Sequence, residues 1–267
     1  MNVFKYGCGD CLELMKELPD KSIDMILCDL PYACGKTANK WDVEVPLDLL
    51  WPEYKRIIKE DGIICLFGNE PFTSKLILSN IKWFRYKMVW KKESPTGFLN
   101  CNYKPLSQFE DIVIFSKATV GSLSKNPIRY FPQGLIPVNK VKQNNPNSTW
   151  REKKGYSAKT NKLNSTEKYI QKYTNYPTDI IEFSRDKNTI HDTQKPVALL
   201  EYLIKTYSRK GDFVLDNCAG SFSTAIAALN CNRNCIMFEK KEKFFQDGVK
   251  RVFDFVNNMG NTNRGEK

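Results

Sequence analysis

Short apolar runs alternate along much of the chain with segments in which apolar residues recur at helical spacing. The runs predict buried strands and the helical spacing predicts amphipathic helices. Their alternation predicts an α/β fold with a doubly wound, mostly parallel sheet. The predicted strands are Ser22–Asp29, Ile63–Gly68, Arg85–Lys92, Glu110–Lys117, Gly211–Cys218 and Asn234–Lys241. The predicted helices are Cys11–Leu18, Leu47–Glu60, one that starts at Pro71, Lys195–Ser208, Ser223–Asn230 and Glu242–Val256.

The regular pattern stops between Ser122 and Tyr176, where Asn, Lys, Ser and Pro are frequent and Tyr and Trp are interleaved. Strands and helices resume afterwards, so this segment is predicted to be an insertion rather than a linker. We therefore predict a main α/β domain formed by residues 1–117 and 190–267, with an inserted region at 118–189. Asp61-Gly62 is predicted to end the helix before it, and Glu93–Pro105 is predicted to form a loop.

The positive charge of the chain is concentrated in the irregular segment. The 267 residues carry a formal net charge of +11, and Lys117–Lys187 contributes 14 Lys and Arg against 5 Asp and Glu, or +9. A basic segment on a nearly neutral body indicates a polyanionic partner, most simply nucleic acid. On charge alone, a solvated surface insertion explains the same pattern.

Other features of the sequence narrow the class of protein. No run of 18 apolar residues is present, so no membrane span is expected. The start of the chain lacks an apolar signal core, so we expect the protein in the cytoplasm of its host, a bacterial cell or a phage-infected one. Nine scattered cysteines indicate reduced thiols. No metal is expected. A zinc site would need a second close pair of cysteines besides Cys8 and Cys11, and only Cys231 and Cys235 come near that spacing. His191 is the single histidine.

One predicted strand ends in Asp216, and the turn that follows leads into a helix. Gly220 permits a tight turn there, and the helix start offers free N–H groups to an anionic ligand. The next strand ends in Glu239, about twenty residues further on, where an acid suits the hydroxyls of a ribose. Asp216, Gly220 and Glu239 together indicate an adenosine-containing cofactor. An ordinary strand–turn–helix, or the cofactor site of a nicotinamide oxidoreductase, fits the same spacing.

Asp29-Leu30-Pro31-Tyr32 follows another predicted strand. The carboxylate and a backbone carbonyl suit an amino group, and the tyrosine ring suits a flat base stacked on it. A base bound in this way must leave its duplex stack. From these four residues alone, a polar turn with a half-buried tyrosine explains the pattern equally well.

Taken together, five ordered segments resemble the amino-group DNA methyltransferases of the β class. Asp29–Tyr32 is similar to their D/N/S-P-P-Y motif, "DNCAGSFSTA" to their cofactor motif, and "HDTQKPVALLEYLI" to the H-P-T-Q-K-P helix. The segments "WPEYKRIIKEDGIICLFG" and "PLSQFEDIVIFSK" also resemble family segments. The resemblance covers the chain except the insertion, and the β class places the catalytic motif before the cofactor motif.

The resemblance implies methyl transfer from S-adenosylmethionine to the exocyclic amine of a flipped base in double-stranded DNA, without a metal. The implied catalytic residues are Asp29, Leu30, Pro31 and Tyr32. The implied cofactor-binding residues are Asp10, Cys11, Asp216, Gly220, Ser221, Ser223, Thr224, Glu239, Thr193 and Lys195. The residues predicted to contact DNA, from the insertion and from the Glu93–Pro105 loop, are Lys153, Lys154, Phe98, Asn100, Lys125 and Arg129.

Three residues depart from the family pattern. Leu30 replaces the first proline, which leaves the carbonyl in place, and Phe109 stands where the family often has histidine. Phe222 replaces a glycine of the cofactor motif, where it is expected to resist φ > 0 and to crowd the cofactor unless its ring packs underneath. Phe222 and Phe109 together motivate an alternative, a DNA-binding protein with a degenerate methyltransferase fold.

Asp29, the first residue of the catalytic motif, favours adenine as the target, because cytosine enzymes of the family more often carry serine at that position. Amino methylation of cytosine at N4 is the alternative enzyme activity. Family members are often dimers, so the resemblance allows a homodimer, but the sequence does not establish one. The DNA site and a companion restriction nuclease cannot be read from the sequence.

Overall fold

The computed structural model describes residues 2–32, 45–143, 168–187, 189 and 194–262. Its strands are β1 (Phe4–Cys8), β2 (Ile23–Cys28), β3 (Ile58–Gly68), β4 (Phe84–Thr96), β5 (Ser107–Phe115), β6 (Ile136–Gln143), β7 (Lys168–Thr174), β8 (Ile180–Glu182), β9 (Phe213–Asp216) and β10 (Asn234–Glu239). Its helices are α1 (Cys11–Lys16), α2 (Leu47–Ile57), α3 (Phe72–Ser79), α4 (Val197–Tyr207), α5 (Ser223–Asn230) and α6 (Glu242–Thr262). None of these helices is long and apolar enough to cross a membrane.

Eight strands form one sheet in the order β1-β10-β9-β2-β3-β5-β4-β8. β5 runs antiparallel to both of its neighbours, and the other neighbouring strands in this order pair in parallel. One apolar cluster joins α1, α2 and α3 to the sheet, and a second joins α4, α5 and α6 to it. The predicted doubly wound, mostly parallel α/β fold is therefore confirmed.

Strand β3 shows why the central strands read as continuous apolar runs. Ile63, Cys65 and Phe67 belong to the cluster with α4–α6, while Ile64 and Leu66 belong to the cluster with α1–α3. Successive side chains of a strand point to opposite faces, so a sheet covered on both faces needs an apolar residue at every position.

The boundary between α2 and β3 differs from the prediction. The helix ends at Ile57, and β3 begins directly at Ile58, which pairs with Ile23. Asp61 and Gly62 lie inside β3, where a Cβ on Gly62 would be 2.6 Å from the Cγ1 atom of Ile58. The ladder is irregular at this point, as at a β-bulge. Burial of Ile57 and Ile58 outweighs the turn preference of the Asp-Gly pair.

The chain divides into two compact units, one of residues 1–131 and 179–267 and one of residues 132–178. In the smaller unit, β6 and β7 pair antiparallel as a two-stranded sheet, which the irregular sequence pattern did not predict. The segments on either side belong to the larger unit. The backbone N–H of Phe131 donates to the carbonyl of Thr206, and β8 pairs with β4. The separate unit is thus narrower than the predicted 118–189 region.

Candidate active site at the carboxyl edge of the sheet

The two chemically unusual strand ends lie side by side. β2 and β9 are parallel neighbours at the centre of the sheet, and the chain leaves them in opposite directions, to β3 and to β10. Asp29 follows β2 directly, and Asp216 is the last residue of β9. Ligands of open α/β sheets bind in the crevice at such a switch point.

Both carboxylate oxygens of Asp29 have partners. Oδ1 accepts a hydrogen bond of 2.7 Å from the hydroxyl of Tyr32, and Oδ2 lies 2.5 Å from Nζ of Lys195. The side chain stays partly exposed, at 29%. An ionised carboxylate has about four lone-pair positions, so these two contacts fix its orientation and leave acceptor capacity for a substrate amine.

Lys195 belongs to a row of four alternating charges at this edge. Its Nζ atom lies 3.1 Å from Glu110 Oε2, and Glu110 Oε1 lies 2.5 Å from Nζ of Lys92. Burial lowers the pKa of Lys195, but the charges of Asp29 and Glu110 outweigh burial and raise it above its ordinary value. For Glu110, burial raises the pKa, but Lys195 and Lys92 outweigh it and the pKa falls. Both shifts favour the charged forms of Lys195 and Glu110.

This arrangement excludes one of the two interpretations of Lys195. The sequence pattern placed it near the cofactor or, alternatively, at a solvated helix end. Its ammonium is buried between two carboxylates, with the ring of Phe67 centred 5.0 Å away, so it is not a solvated helix-end charge, and its contact with the cofactor stays a prediction. The hydrophobic residues around it make an unpaired ammonium costly, and Asp29 and Glu110 offset that cost.

Tyr32 is held between the catalytic loop and α3. Its ring stacks on Phe72 at a centroid distance of 5.0 Å and an interplanar angle of 26°. Burial, followed by the charge of Asp29, raises the pKa of the phenol well above its ordinary value. The hydroxyl therefore stays protonated and donates to Asp29. Next to it, Leu30 is buried in the core below the loop, and Pro31 is half-buried.

The second half of the site surrounds Glu239, at the end of β10. Its Oε2 accepts a hydrogen bond of 2.9 Å from the N–H of Gly220, and its Oε1 accepts one of 2.8 Å from the N–H of Lys241. Gly220 has φ of +48°, and no atom lies within 4 Å of a Cβ built on it. A buried carboxylate thus borders a backbone turn that is open at Gly220.

Asp10 follows β1, the strand next to β10. It caps α1, because Oδ1 accepts a hydrogen bond of 3.0 Å from the N–H of Leu12. Its Oδ2 lies 2.9 Å from Nζ of Lys240, and this hydrogen bond lowers the pKa of the carboxyl. Cys11 is buried, and its thiol is hydrogen-bonded to that of Cys218. The thiol of Cys11 is therefore taken up by a contact inside the protein.

Several residues predicted to border the methionine part bond one another. Asp216 accepts hydrogen bonds from the hydroxyl of Thr224 at 2.6 Å and the N–H of Cys218 at 3.1 Å. Burial raises its pKa to about 6. The hydroxyls of Ser221 and Ser223 are 3.1 Å apart, and both residues also bond to a single arginine of α6, Arg251. These hydrogen bonds therefore hold the turn between β9 and α5 in shape.

Phe222 adopts the conformation that its residue type disfavours, but it does not crowd the turn. Its φ is +60°, and its side chain is fully buried. The ring packs edge-on to Phe4 and Phe245, at centroid distances of 6.3 and 6.1 Å. It also fills the space above Gly248, where a Cβ would lie 2.5 Å from its Cδ1 atom. Of the two arrangements that the sequence left open for Phe222, the structure has the one in which the ring packs away from the turn, and burial against α6 and β1 offsets the backbone strain.

The residues predicted to contact DNA have different environments. Phe98, Asn100 and Lys125 are exposed. Arg129 is buried, and its guanidinium bonds to three carboxylates, so the prediction that it binds DNA is wrong. Its partners are Asp24, Asp61 and Asp212. The predictions for Lys153, Lys154, Thr193 and His191 lie outside the described residues.

The sequence patterns missed three residues that complete the site. Glu110 and Lys92 were assigned only to strands, and Phe72 only to a helix. Charged residues inside otherwise apolar strands were the signal available for the first two. Among the described residues, no group of three His, Cys, Asp or Glu side chains is arranged to hold a metal ion.

The known proteins that are similar to this chain include the following three. DNA adenine methyltransferase YhdJ of Escherichia coli (strain K12) is 27% identical over 259 residues, covering 91% of this chain and 81% of YhdJ. The crystal structure of the M1.HpyAVI–SAM complex has 22% identity and a TM-score of 0.57, covering 93% of this chain and 100% of that one. PvuII DNA methyltransferase, which is cytosine-N4-specific, has 15% identity and a TM-score of 0.63, covering 98% of this chain and 93% of that one.

The match to a family model bears directly on the site. The model of a DNA methylase family matches residues 23–250. That range includes Asp29, Glu110, Lys195 and Glu239, and therefore both halves of the site. The chain belongs to the DNA methylase family.

Proposed function

We propose that this DNA methylase transfers a methyl group from S-adenosylmethionine to the exocyclic amino group of a flipped adenine in double-stranded DNA. The observation that carries the proposal is Asp29, which is oriented by Tyr32 and Lys195 at the switch point beside the Glu239–Gly220 turn. A hydrogen-bond acceptor for an amine and a candidate nucleoside pocket thus share one edge of the sheet.

The residues of the turn fit S-adenosylmethionine. The open space over Gly220 accommodates the nucleoside, and the Glu239 carboxylate keeps acceptor capacity for ribose hydroxyls beyond its two backbone contacts. Asp10, one strand further, borders the adenine side. When bound, the cofactor supplies an electrophilic methyl group on a sulfonium. The resemblance to the M1.HpyAVI–SAM complex in fold is consistent with this choice.

On the substrate side, Asp29 accepts one hydrogen bond from the target amine, and the carbonyl of Leu30 or Pro31 accepts the other. These two acceptors hold the nitrogen with its lone pair directed at the methyl group. Catalysis is then mainly orientation and electrostatics, because no strong base is needed before the nitrogen attacks. The methyl group would leave its sulfur as the new N–C bond forms, and the nitrogen would afterwards release one proton to solvent. The target base must leave the helix to reach Asp29, and the Tyr32 ring then stacks on it.

Adenine is favoured over cytosine by the aspartate at the first motif position and by the name of YhdJ, a DNA adenine methyltransferase. The fold itself does not decide between the bases, because the cytosine-N4-specific PvuII enzyme shares it. The alternative, a DNA-binding protein with a degenerate methyltransferase fold, is less well supported. Its main argument was that Phe222 crowds the cofactor, and the ring of Phe222 is packed under the turn.

Modified-base sequencing of DNA from cells that express the protein tests the proposal. We expect N6-methyladenine at one short sequence with wild type and none with Asp29→Ala. Glu13→Gln, an exposed change on α1, serves as the matched control and should methylate like wild type. Methylated cytosine would support the alternative activity, and unmodified DNA from an expressed, folded wild type would contradict both.

A further inference from the structure

The hairpin of β4 and β5 projects beyond the sheet. β5 pairs with β3 only from Phe115 to Asp111, and its first four residues, Ser107–Glu110, extend past the end of β3. Because β5 is antiparallel to β3, this extension lies at the carboxyl edge, on the side of Asp29. At 3.4 Å per residue, it reaches about 14 Å past the end of β3. β4 accompanies it, with Thr96 paired to Ser107.

The tip of this hairpin, residues 97–106, is regularly hydrogen-bonded. Gly97 has φ of +90° and starts a short 3-10 turn at Phe98–Asn100. The N–H of Asn100 donates to the carbonyl of Gly97 at 2.9 Å, and that of Cys101 donates to Phe98 at 3.0 Å. The carbonyl of Asn100 then accepts from Tyr103 and Lys104. Two consecutive turns therefore fix the shape of the tip.

The tip presents large apolar side chains to solvent. Phe98 is 77% exposed, Leu99 95% and Tyr103 88%. Ordered surface segments rarely expose three such neighbours unless the patch binds a partner. The tip contains one charged residue, Lys104, and no acid. An apolar, aromatic and positively charged tip suits nucleic acid better than it suits a basic or neutral protein surface.

We propose that this tip is a wedge that enters the DNA base stack and occupies the gap left by the target base. This inference rests on the proposed function. Apolar side chains that insert between base steps are a known means of holding a duplex open, and aromatic rings recover part of the lost stacking. Phe98, Leu99 and Tyr103 are the inserting group, and Lys104 contacts the adjacent phosphate.

The hairpin links the wedge to the chemistry. Glu110, which binds Lys195 and so orients Asp29, lies on the same strand, three residues after Ser107 at the base of the tip. Strand β5 therefore sets the distance between the group that fills the gap and the carboxylate that receives the extruded amine. The wedge and the residue that holds Lys195 beside Asp29 thus lie on one hairpin.

DNA binding measured by fluorescence anisotropy tests this proposal without requiring catalysis. The probes are two short synthetic duplexes of one sequence, one intact and one with a single abasic position. We expect wild type to prefer the abasic duplex by about tenfold, because the wedge enters the gap without unstacking a base. The triple variant Phe98→Ala, Leu99→Ala, Tyr103→Ala should lose that preference, whereas Leu78→Ala, an equally exposed change on α3, should retain it.

Equal affinity of wild type for the two duplexes, or an unchanged preference in the triple variant, would overturn the wedge. Sedimentation of both proteins adds a third outcome: a wild-type dimer that the triple variant abolishes would assign the tip to a second copy of the chain and also overturn it. The proposed function can fail separately, because a protein that shows the abasic preference but never methylates DNA refutes only that function.

Methyl transfer to a mapped site gives a second readout. If wild type methylates it, the triple variant should be slow on a paired target and recover when the target lies opposite an abasic position, where extrusion costs less. A variant that is equally slow on both duplexes would contradict the role in extrusion.

Discussion

Asp29 has its geometry fixed by two different kinds of partner. Tyr32 donates a neutral hydrogen bond to one oxygen, and Lys195 forms an ion pair with the other. Lys195 is fixed in turn by Glu110, and Glu110 by Lys92. Rotation of the Asp29 carboxylate would break at least one of these contacts, so its remaining lone pairs point in defined directions. Precise orientation of this kind is where we expect most of the rate enhancement to arise.

Lys195→Met should reduce methyl transfer by at least about 100-fold, since a small displacement of a positioned group has effects of this size. Lys195→Arg keeps the charge and should recover part of the rate. Cofactor affinity should change only a few fold, because the ammonium contacts carboxylates of the substrate half. Single-turnover kinetics and calorimetry measure the two quantities. A wild-type rate in a folded Lys195→Met protein would contradict the positioning role.

Asp216 gives a pH-dependent prediction. Its pKa is about 6 in the folded protein, raised by burial from an ordinary value of 3.8. Between these values the folded state keeps a proton that the unfolded chain has released, so stability falls as the pH rises through this window. Asp216→Asn should remove this slope, worth up to about 3 kcal/mol. Urea unfolding across the window measures it, and parallel curves for the two proteins would contradict the burial argument.

At this scale the sequence predicted which residues gather at the edge, but not all of their contacts. Asp29 and Glu239 follow apolar runs, and the ends of parallel strands meet at one edge, so their proximity can be inferred from local pattern. The ion pair of Lys195 with Asp29 joins residues 166 positions apart. No local pattern encodes such a contact, and the same holds for Glu110.

Among the elements, the α5 start and α6 show how a disfavoured residue is accommodated. Phe222 precedes α5 in a left-handed conformation, which costs a residue with a side chain about 1–2 kcal/mol. Burying its ring against Phe4, Phe245 and the glycine of α6 is worth more than that. Gly248 is consequently required by packing, although glycine weakens the interior of a helix.

Gly248→Ala should destabilise the fold. Helix propensity alone favours alanine by about 1 kcal/mol, but its Cβ would lie 2.5 Å from the Phe222 ring. Overpacking of this kind costs about 1–3 kcal/mol, so we expect a net loss in chemical denaturation. In a Phe222→Ala background the contact is gone, and the same change should become stabilising. Equal effects in both backgrounds would show that the two residues are not coupled.

The elements that the sequence predicted well are those with a buried face. Periodicity located α5 at its observed bounds and placed the central strands within a few residues. The end of β4, Glu93–Thr96, was assigned to the Glu93–Pro105 loop, because these residues are largely exposed and show no apolar alternation. The sheet of β6 and β7 was missed for the same reason.

For the whole molecule, the net charge of the basic segment did not distinguish its buried basic residues from its exposed ones. Arg129 contributes to the basic segment, yet it is buried with Asp24, Asp61 and Asp212. Lys140 and Lys142 on β6, in contrast, are exposed beside the exposed Val141. We propose that the unit at residues 132–178 supplies phosphate contacts and selects the DNA sequence, as its lysines and tyrosines suggest.

Reversing Lys140 and Lys142 to glutamate should weaken DNA binding and flatten its salt dependence. Each lost phosphate contact changes the slope of log affinity against log salt by about 0.9. Lys210→Glu, an exposed change that precedes β9 at the opposite edge of the sheet, serves as control. A salt titration of duplex binding compares the proteins. The same slope in all of them would show that these two lysines do not contact phosphate.

The central claim is that cofactor and target amine meet at the switch point around Asp29. Purified protein, S-adenosylmethionine and unmethylated DNA test it most directly, with nucleosides quantified by mass spectrometry and cofactor affinity measured on the same preparations. We predict N6-methyladenine from wild type, none from Asp29→Ala with nearly unchanged cofactor affinity, and weakened cofactor binding by about 1.5–3 kcal/mol for Glu239→Ala. Wild-type levels of methylated adenine from Asp29→Ala would contradict the account.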